Sequence, residues 1–201
     1  MSLHPSLAHL TGRRILLASA SPRRQELLGM LDIPFIRPAS IEVDETYPST
    51  LQAHKVPEYL SRLKADAYRP SLTPADILIT ADTVVIVDDT VLGKPADEAD
   101  ARRMLHLLSD RTHRVITGVT IAETTKLHTF SVTTSVTFAK LTDDEIDYYV
   151  NHYHPTDKAG AYGIQEWIGA IGITGIDGSY YNVMGLPVRR VYEALKDFSK
   201  I

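Results

Sequence analysis

The alternation of apolar and polar stretches along the chain predicts strands and helices in turn. A buried strand is predicted at residues 15–18, where four apolar residues are consecutive. Ser21 and Pro22 then have the residue types of an N-cap and a first helical residue, for a helix that continues over residues 23–31. Residues 35–43 are predicted to be extended, because prolines interrupt any helical pattern there.

The middle of the chain carries the clearest strand pattern. Residues 77–87 are rich in Ile and Val, and residues 90–92 are predicted to form a short strand after an Asp-Asp turn. A helix is predicted before them, from Pro57 to just before Pro70, since a residue that precedes proline disfavours helix. Another helix is predicted over residues 96–108.

The second half of the chain begins with two predicted strands. They cover residues 115–122 and 129–139, and the second is rich in Thr and Val. Thr142 and Glu145 have the spacing of a capping box, which predicts a helix that ends at about His152.

The last part of the chain is less regular. Residues 157–182 are rich in glycine and are predicted to mix loop and strand, and Pro187 begins a final helix with apolar residues at helical spacing. The order of elements predicts an α/β fold with antiparallel hairpins inside a mixed sheet. No linker divides the chain.

Composition narrows the classes of protein that fit. With 201 residues and 44% hydrophobic content, the chain can bury a substantial core. Its net charge of −4 argues against a nucleic-acid polymer as partner, because such a partner requires clustered Lys and Arg. The absence of cysteine excludes thiolate chemistry. The apolar runs are too short for a membrane-spanning helix, so no membrane partner is expected.

A polar cluster lies where the first strand meets the first helix. Ser19, Ser21, Arg23 and Arg24 surround a helix start, where unpaired N–H groups favour anions. Two hydroxyl and two guanidinium groups at that point suit a polyphosphate. The alternative is an ordinary Ser-Pro cap with solvated arginines.

Carboxylates form a second candidate group. Asp82 interrupts the apolar strand 77–87, and a carboxylate buried there needs a partner, a metal or a raised pKa. It is therefore a candidate catalytic base or metal ligand, the alternative being a capped acid at a strand end. Asp44 or Glu45 could supply a second metal carboxylate, although an acidic pair is commonly just solvated.

Lysines and one amide complete the candidate set. Lys64 lies along the apolar stripe of its predicted helix, so its ammonium either extends to solvent or meets an anion in a cleft. Lys94, between Gly93 and Pro95, is a further candidate phosphate ligand or a simple surface lysine. Lys158 and Gln165 belong to a glycine-rich segment whose backbone can approach a ligand closely, or which is merely a flexible loop.

Six segments together resemble the Maf family of nucleoside triphosphate pyrophosphatases. They occur in the family's order and span nearly the whole chain: residues 17–24, 43–46, 81–85, 93–95, 157–165 and 178–187. The sequence Asp-Lys-Ala-Gly-Ala-Tyr-Gly-Ile-Gln at residues 157–165 is similar to the branch that acts on dTTP and UTP.

The resemblance implies a fold and a setting. The expected fold is α/β, with a mixed sheet flanked by helices and two lobes around a central cleft, similar to the inosine triphosphate pyrophosphatase architecture. Residues 1–201 would form a single Maf-like domain. The family further implies a cytoplasmic enzyme, a homodimer and dependence on a divalent cation, Mg²⁺ or Mn²⁺.

The resemblance also implies roles for individual residues. Asp82 matches the family's proposed proton acceptor, and Glu45 matches a further residue of the cleft. Because the chain has no cysteine and no paired histidines, Glu45 and Asp82 are the expected oxygen ligands of the metal. The positions linked to substrate choice are matched by Arg23, Thr83 and Gln165. Lys64 and Lys94 match further residues of the cleft.

The residues and the resemblance agree on a reaction. Cationic side chains and the metal would neutralise a triphosphate while water attacks the α-phosphorus and pyrophosphate leaves. Two rival classes use similar groups: a nucleotidyltransferase with a second substrate as nucleophile, and a non-enzymatic nucleotide-binding regulator of cell division or septum formation.

Overall fold

A computed structural model describes residues 3–198. Its strands are β1 (Arg14–Leu17), β2 (Phe35–Ile36), β3 (Asp76–Val87), β4 (Thr90–Leu92), β5 (Thr112–Ala122), β6 (Leu127–Phe138) and β7 (Ile173–Asp177). Its α-helices are α1 (Pro22–Gly29), α2 (Val56–Tyr68), α3 (Glu98–Leu108), α4 (Asp143–Tyr153), α5 (Trp167–Gly172), α6 (Tyr180–Met184) and α7 (Val188–Asp197). The predicted elements are confirmed with small shifts of their ends, apart from two segments.

One mixed sheet contains all seven strands. The strand order is β2-β1-β3-β5-β6-β7, with β4 paired to β3. Strand β1 is parallel to β2 and β3, whereas the remaining pairs are antiparallel. The α/β class and the mixed sheet predicted from the pattern are therefore confirmed.

Strand β3 has an interrupted edge. One edge pairs with β5 along residues 78–86. The opposite edge pairs with β1 over residues 76–79 and with β4 over residues 85–87, which leaves residues 80–84 without a strand partner on that side. A gap therefore opens beside the middle of the longest buried strand.

Both faces of β3 are buried, and this explains its continuous apolar pattern. Residues of odd number, such as Ile79 and Val85, belong to the main core. Residues of even number, such as Val84 and Ile86, pack in a smaller cluster against α2, which contributes Leu60. A side chain at position 82 therefore projects toward α2.

Two predicted segments differ in the structure. Within residues 35–43 only Phe35–Ile36 forms a strand, and the following residues up to 52 have no regular structure and are largely exposed. Few apolar side chains of this segment are buried against the rest of the protein, so a longer strand is not stabilised. Within residues 157–182, only Ile173–Asp177 is a strand, and the rest includes short helices.

Candidate active site

The carboxylate of Asp82 lies at the gap in the edge of β3, and its side chain is only 12% exposed. Lys64 reaches it from α2, with Nζ 2.6 Å from Asp82 Oδ1. The same ammonium lies 3.0 Å from Glu45 Oε2, on the irregular segment after β2. The Lys64 ammonium was expected either to extend to solvent or to meet an anion in a cleft, and the structure shows it in contact with carboxylates. Helix α2 thereby supplies the partner that a buried acid in an apolar strand requires.

At this gap, the Arg24 guanidinium forms hydrogen bonds with other groups of the protein. Its guanidinium donates to the carbonyl of Ala81 at 2.9 Å, to Thr83 Oγ1 at 3.0 Å and to the carbonyl of Gly185 at 2.8 Å. It therefore satisfies a backbone acceptor on the unpaired edge of β3. Burial lowers the pKa of Arg24, and the carboxylate of Asp82 opposes that shift. Its predicted role toward substrate stays a prediction, which its remaining N–H groups would have to fulfil.

The start of α1 borders the same gap. Ser21 caps the helix, accepting from the N–H of Arg24 at 3.5 Å, and the N–H of Ser21 donates to Ser19 Oγ at 3.3 Å. Arg23 projects toward the glycine-rich segment, where its Nη1 donates to Asp157 Oδ2 at 2.8 Å. The helix start and Arg23 therefore line the same cavity as Asp82, and their predicted role as a polyphosphate site stays a prediction.

The glycine-rich segment is held by an ionic network. Lys158 is buried, with Nζ 2.7 Å from Asp157 Oδ1 and 3.2 Å from Glu166 Oε1. Burial alone would raise the pKa of Asp157, but hydrogen bonds from Lys158 and Arg23 bring it below its ordinary value. Gln165 is exposed, and its carboxamide makes no hydrogen bond within residues 3–198. The charged side chains of this segment are thus paired with one another, whereas the Gln165 carboxamide is available to a ligand.

One cavity of about 660 Å³ brings these side chains together. Its lining includes all eleven residues predicted for the site: Ser19, Ser21, Arg23, Arg24, Glu45, Lys64, Asp82, Thr83, Lys94, Lys158 and Gln165. Lys94 is exposed and makes no ion pair with another described residue of 3–198. Such a volume suits a ligand of nucleotide size.

The sequence did not single out several other lining residues. Arg37, Tyr47 and Tyr68 also line the cavity. Tyr68 follows Lys64 by four residues on α2, and its hydroxyl accepts from the N–H of Ile41 at 3.0 Å. That spacing on one helix face was a usable signal, whereas Arg37 lies in an irregular segment whose course no local pattern reveals.

The two carboxylates fit a hard divalent cation. Oxygens of Glu45 and Asp82 converge on a single positive charge, the Lys64 ammonium, at 3.0 and 2.6 Å. Residues 3–198 contain no group of three or more His, Cys, Asp and Glu placed to hold a metal. Mg²⁺ commonly uses only one or two carboxylates and completes its shell with water and phosphate oxygens. The donor set is therefore adequate for a metal that arrives with a triphosphate.

Comparison with known proteins agrees with this fold and shows the family of the chain. A HAM1 protein from Coxiella burnetii has a similar fold, with a TM-score of 0.50 and 18% identity over 92% of this chain and 99% of that one. A dTTP/UTP pyrophosphatase from Porphyromonas gingivalis is 54% identical over 96% of this chain and 98% of its own length. One from Parabacteroides distasonis is 52% identical over 96% of this chain and its entire length. The model of the family described as Maf-like protein matches residues 14–198, and this chain therefore belongs to the Maf family.

Proposed function

We propose that this chain hydrolyses dTTP and UTP to the nucleoside monophosphate and pyrophosphate. The observation that carries the proposal is the convergence of Asp82, Lys64 and the start of α1 on one cavity. Relatives that are about half identical over nearly the whole chain are named dTTP/UTP pyrophosphatases. A cavity lined by both carboxylates and cationic side chains suits a triphosphate and an attacking water.

In the proposed reaction, the oxygen of a water molecule attacks the α-phosphorus. The bond from that phosphorus to the oxygen bridging to the β-phosphorus breaks, and pyrophosphate leaves with the bonding electrons. Asp82 accepts the proton of the attacking water. Arg23 and Lys94, which line the cavity, neutralise the phosphate oxygens, and the N–H groups at the start of α1 add hydrogen bonds.

We further propose that Glu45 and Asp82 hold Mg²⁺ or Mn²⁺. When bound, such a cation supplies positive charge to phosphate oxygens. The protein's part is to bring two carboxylate oxygens to one point, where the Lys64 ammonium pairs with both.

Base choice is assigned to Gln165. Its carboxamide has one acceptor and two donors, and can form two hydrogen bonds with the N3–H and a carbonyl of uracil or thymine. Its exposure in the cavity leaves those groups free for a base.

Separation of the products of UTP by ion exchange, without any acceptor substrate, tests the proposal. UMP and pyrophosphate in equal amounts are expected. UDP and phosphate would contradict it, turnover only with an added acceptor would indicate a nucleotidyltransferase, and binding without turnover would indicate a regulator.

The assembly and the setting of the enzyme stay predictions. No helix within residues 3–198 has the length and apolar content needed to cross a membrane. A homodimer and a cytoplasmic location are proposed from the family resemblance, and sedimentation and cell fractionation would test them.

A further inference from the structure

Tyr149 lies outside the cavity, on α4, and its side chain is completely buried. Its hydroxyl accepts a hydrogen bond from the N–H of Gly163 at 3.0 Å. The same hydroxyl donates to a carboxylate oxygen of Glu166. One phenol therefore contacts the chain two residues before Gln165 and one residue after it.

The contacts of Glu166 extend this anchor. Its other carboxylate oxygen pairs with Lys158, which pairs in turn with Asp157. The turn between Gly163 and Glu166 is tight, because a Cβ added at Gly163 would lie 2.7 Å from Glu166 Cδ. Ion pairs through Lys158 thus connect Asp157 to Glu166, whose carboxylate the Tyr149 hydroxyl contacts.

Burial, reinforced by the neighbouring Glu166 carboxylate, raises the pKa of Tyr149 well above its ordinary value. The hydroxyl therefore keeps its proton, and with it the hydrogen bond to Glu166, throughout the neutral range.

The Gln165 carboxamide itself has no hydrogen bond to residues 3–198. Its location in the cavity therefore follows its backbone, which Tyr149 contacts at the Gly163 N–H and through the Glu166 carboxylate. The Glu166 N–H also donates to the Gly163 carbonyl at 3.0 Å within this turn. We propose that Tyr149 is a positioning residue that determines base selectivity from outside the cavity, by fixing where Gln165 meets the base. This inference rests on the proposed function, in which Gln165 contacts the base.

The substitution Tyr149→Phe keeps the buried ring and removes only the hydroxyl. We expect kcat/KM for UTP to fall about 5- to 30-fold, as for a lost buried hydrogen bond, and kcat/KM for GTP to change less. The UTP-to-GTP ratio should therefore move toward the ratio for Gln165→Ala. In a Gln165→Ala background, Tyr149→Phe should leave the ratio unchanged.

Tyr192→Phe is the matched control. The Tyr192 hydroxyl also makes an internal hydrogen bond, to Ser6 Oγ at 2.5 Å, but Tyr192 does not line the cavity. Loss of the Tyr192 hydroxyl should lower the stability measured in urea without changing the ratio of kcat/KM for UTP to that for GTP. A role of Tyr149 in stability alone predicts the same behaviour for both variants.

An unchanged ratio in folded Tyr149→Phe would overturn the inference, as would an equal change with and without Gln165. If Tyr149→Phe does not fold, Glu166→Gln carries the same test, since it weakens the same anchor. Hydrogen exchange of the Gly163 amide separates this inference from the proposed function. It should accelerate in Tyr149→Phe even if wild type hydrolyses no triphosphate, and unchanged protection would refute the anchoring.

Discussion

Replacing Lys64 by methionine should strengthen metal binding while it weakens the fold. Lys64 and Asp82 are mostly buried, with side-chain exposures of 16% and 12%, whereas Glu45 is 53% exposed. An exposed pair contributes about 0–1 kcal/mol, and breaking a buried pair costs about 3–5 kcal/mol. Because the guanidinium of Arg24 also acts on Asp82, we expect Lys64→Met to lose about 2–3 kcal/mol in the free energy of unfolding without metal.

The same change removes a competitor for the metal. The ammonium and a divalent cation would use the same oxygens of Glu45 and Asp82. If Mn²⁺ binding no longer has to displace the ammonium and its binding free energy improves by about 1–2 kcal/mol, the Mn²⁺ affinity without nucleotide rises about 5- to 30-fold. Lys94→Met is the matched control, because Lys94 lines the same cavity without pairing to a carboxylate within residues 3–198.

The assay is titration of nucleotide-free protein with Mn²⁺, followed by the electron paramagnetic resonance of the free ion. Lys94→Met should change the affinity by less than about 2-fold, because exposed charges are screened by solvent and salt. Unchanged or weaker binding by folded Lys64→Met would refute the competition. Equal strengthening in both variants would reduce the effect to general electrostatics.

Two further predictions concern how the sheet supports the site. Gly118→Ala should destabilise the protein by about 3 kcal/mol, because a Cβ there would lie 2.2 Å from backbone atoms of Pro57 at the start of α2. Gly175→Ala is the control, because a Cβ there would have its nearest neighbours at 3.8 Å. Equal urea midpoints for the two variants would contradict the close approach. Burial lowers the pKa of His113 to about 4, so the unfolded chain binds a proton below about pH 6.5 that the folded protein does not. Stability should therefore rise between about pH 4 and pH 6.5, by about 3 kcal/mol in all. In His113→Gln, the unfolding free energy measured in urea should depend less on pH over that range. A pH dependence that persists in the variant would mean that other groups cause it.

The sequence pattern predicted regular elements best where burial is continuous. The apolar run at residues 77–87 corresponds to β3 (Asp76–Val87), and the Thr142–Glu145 capping box is present at the start of α4. Residues 37–52 could not be predicted, because they make almost no buried apolar contacts and their course depends on distant groups such as the Tyr68 hydroxyl.

The site was predictable as a set of residues but not as a set of contacts. Family resemblance and residue chemistry indicated eleven of the side chains that line the cavity. They did not indicate that Lys64 bridges Glu45 and Asp82, or that Arg24 bonds to backbone carbonyls. Such contacts depend on the interrupted edge of β3 and on the packing of α2, which are properties of the assembled sheet.

Hydrolysis of UTP in H₂¹⁸O tests the central claim most directly. Attack of water on the α-phosphorus places the label in UMP and leaves pyrophosphate unlabelled. Asp82→Asn, shown to be folded by its urea midpoint, should slow the appearance of labelled UMP by about 10²-fold or more. Label in pyrophosphate or phosphate, or an undiminished rate in Asp82→Asn, would contradict the account.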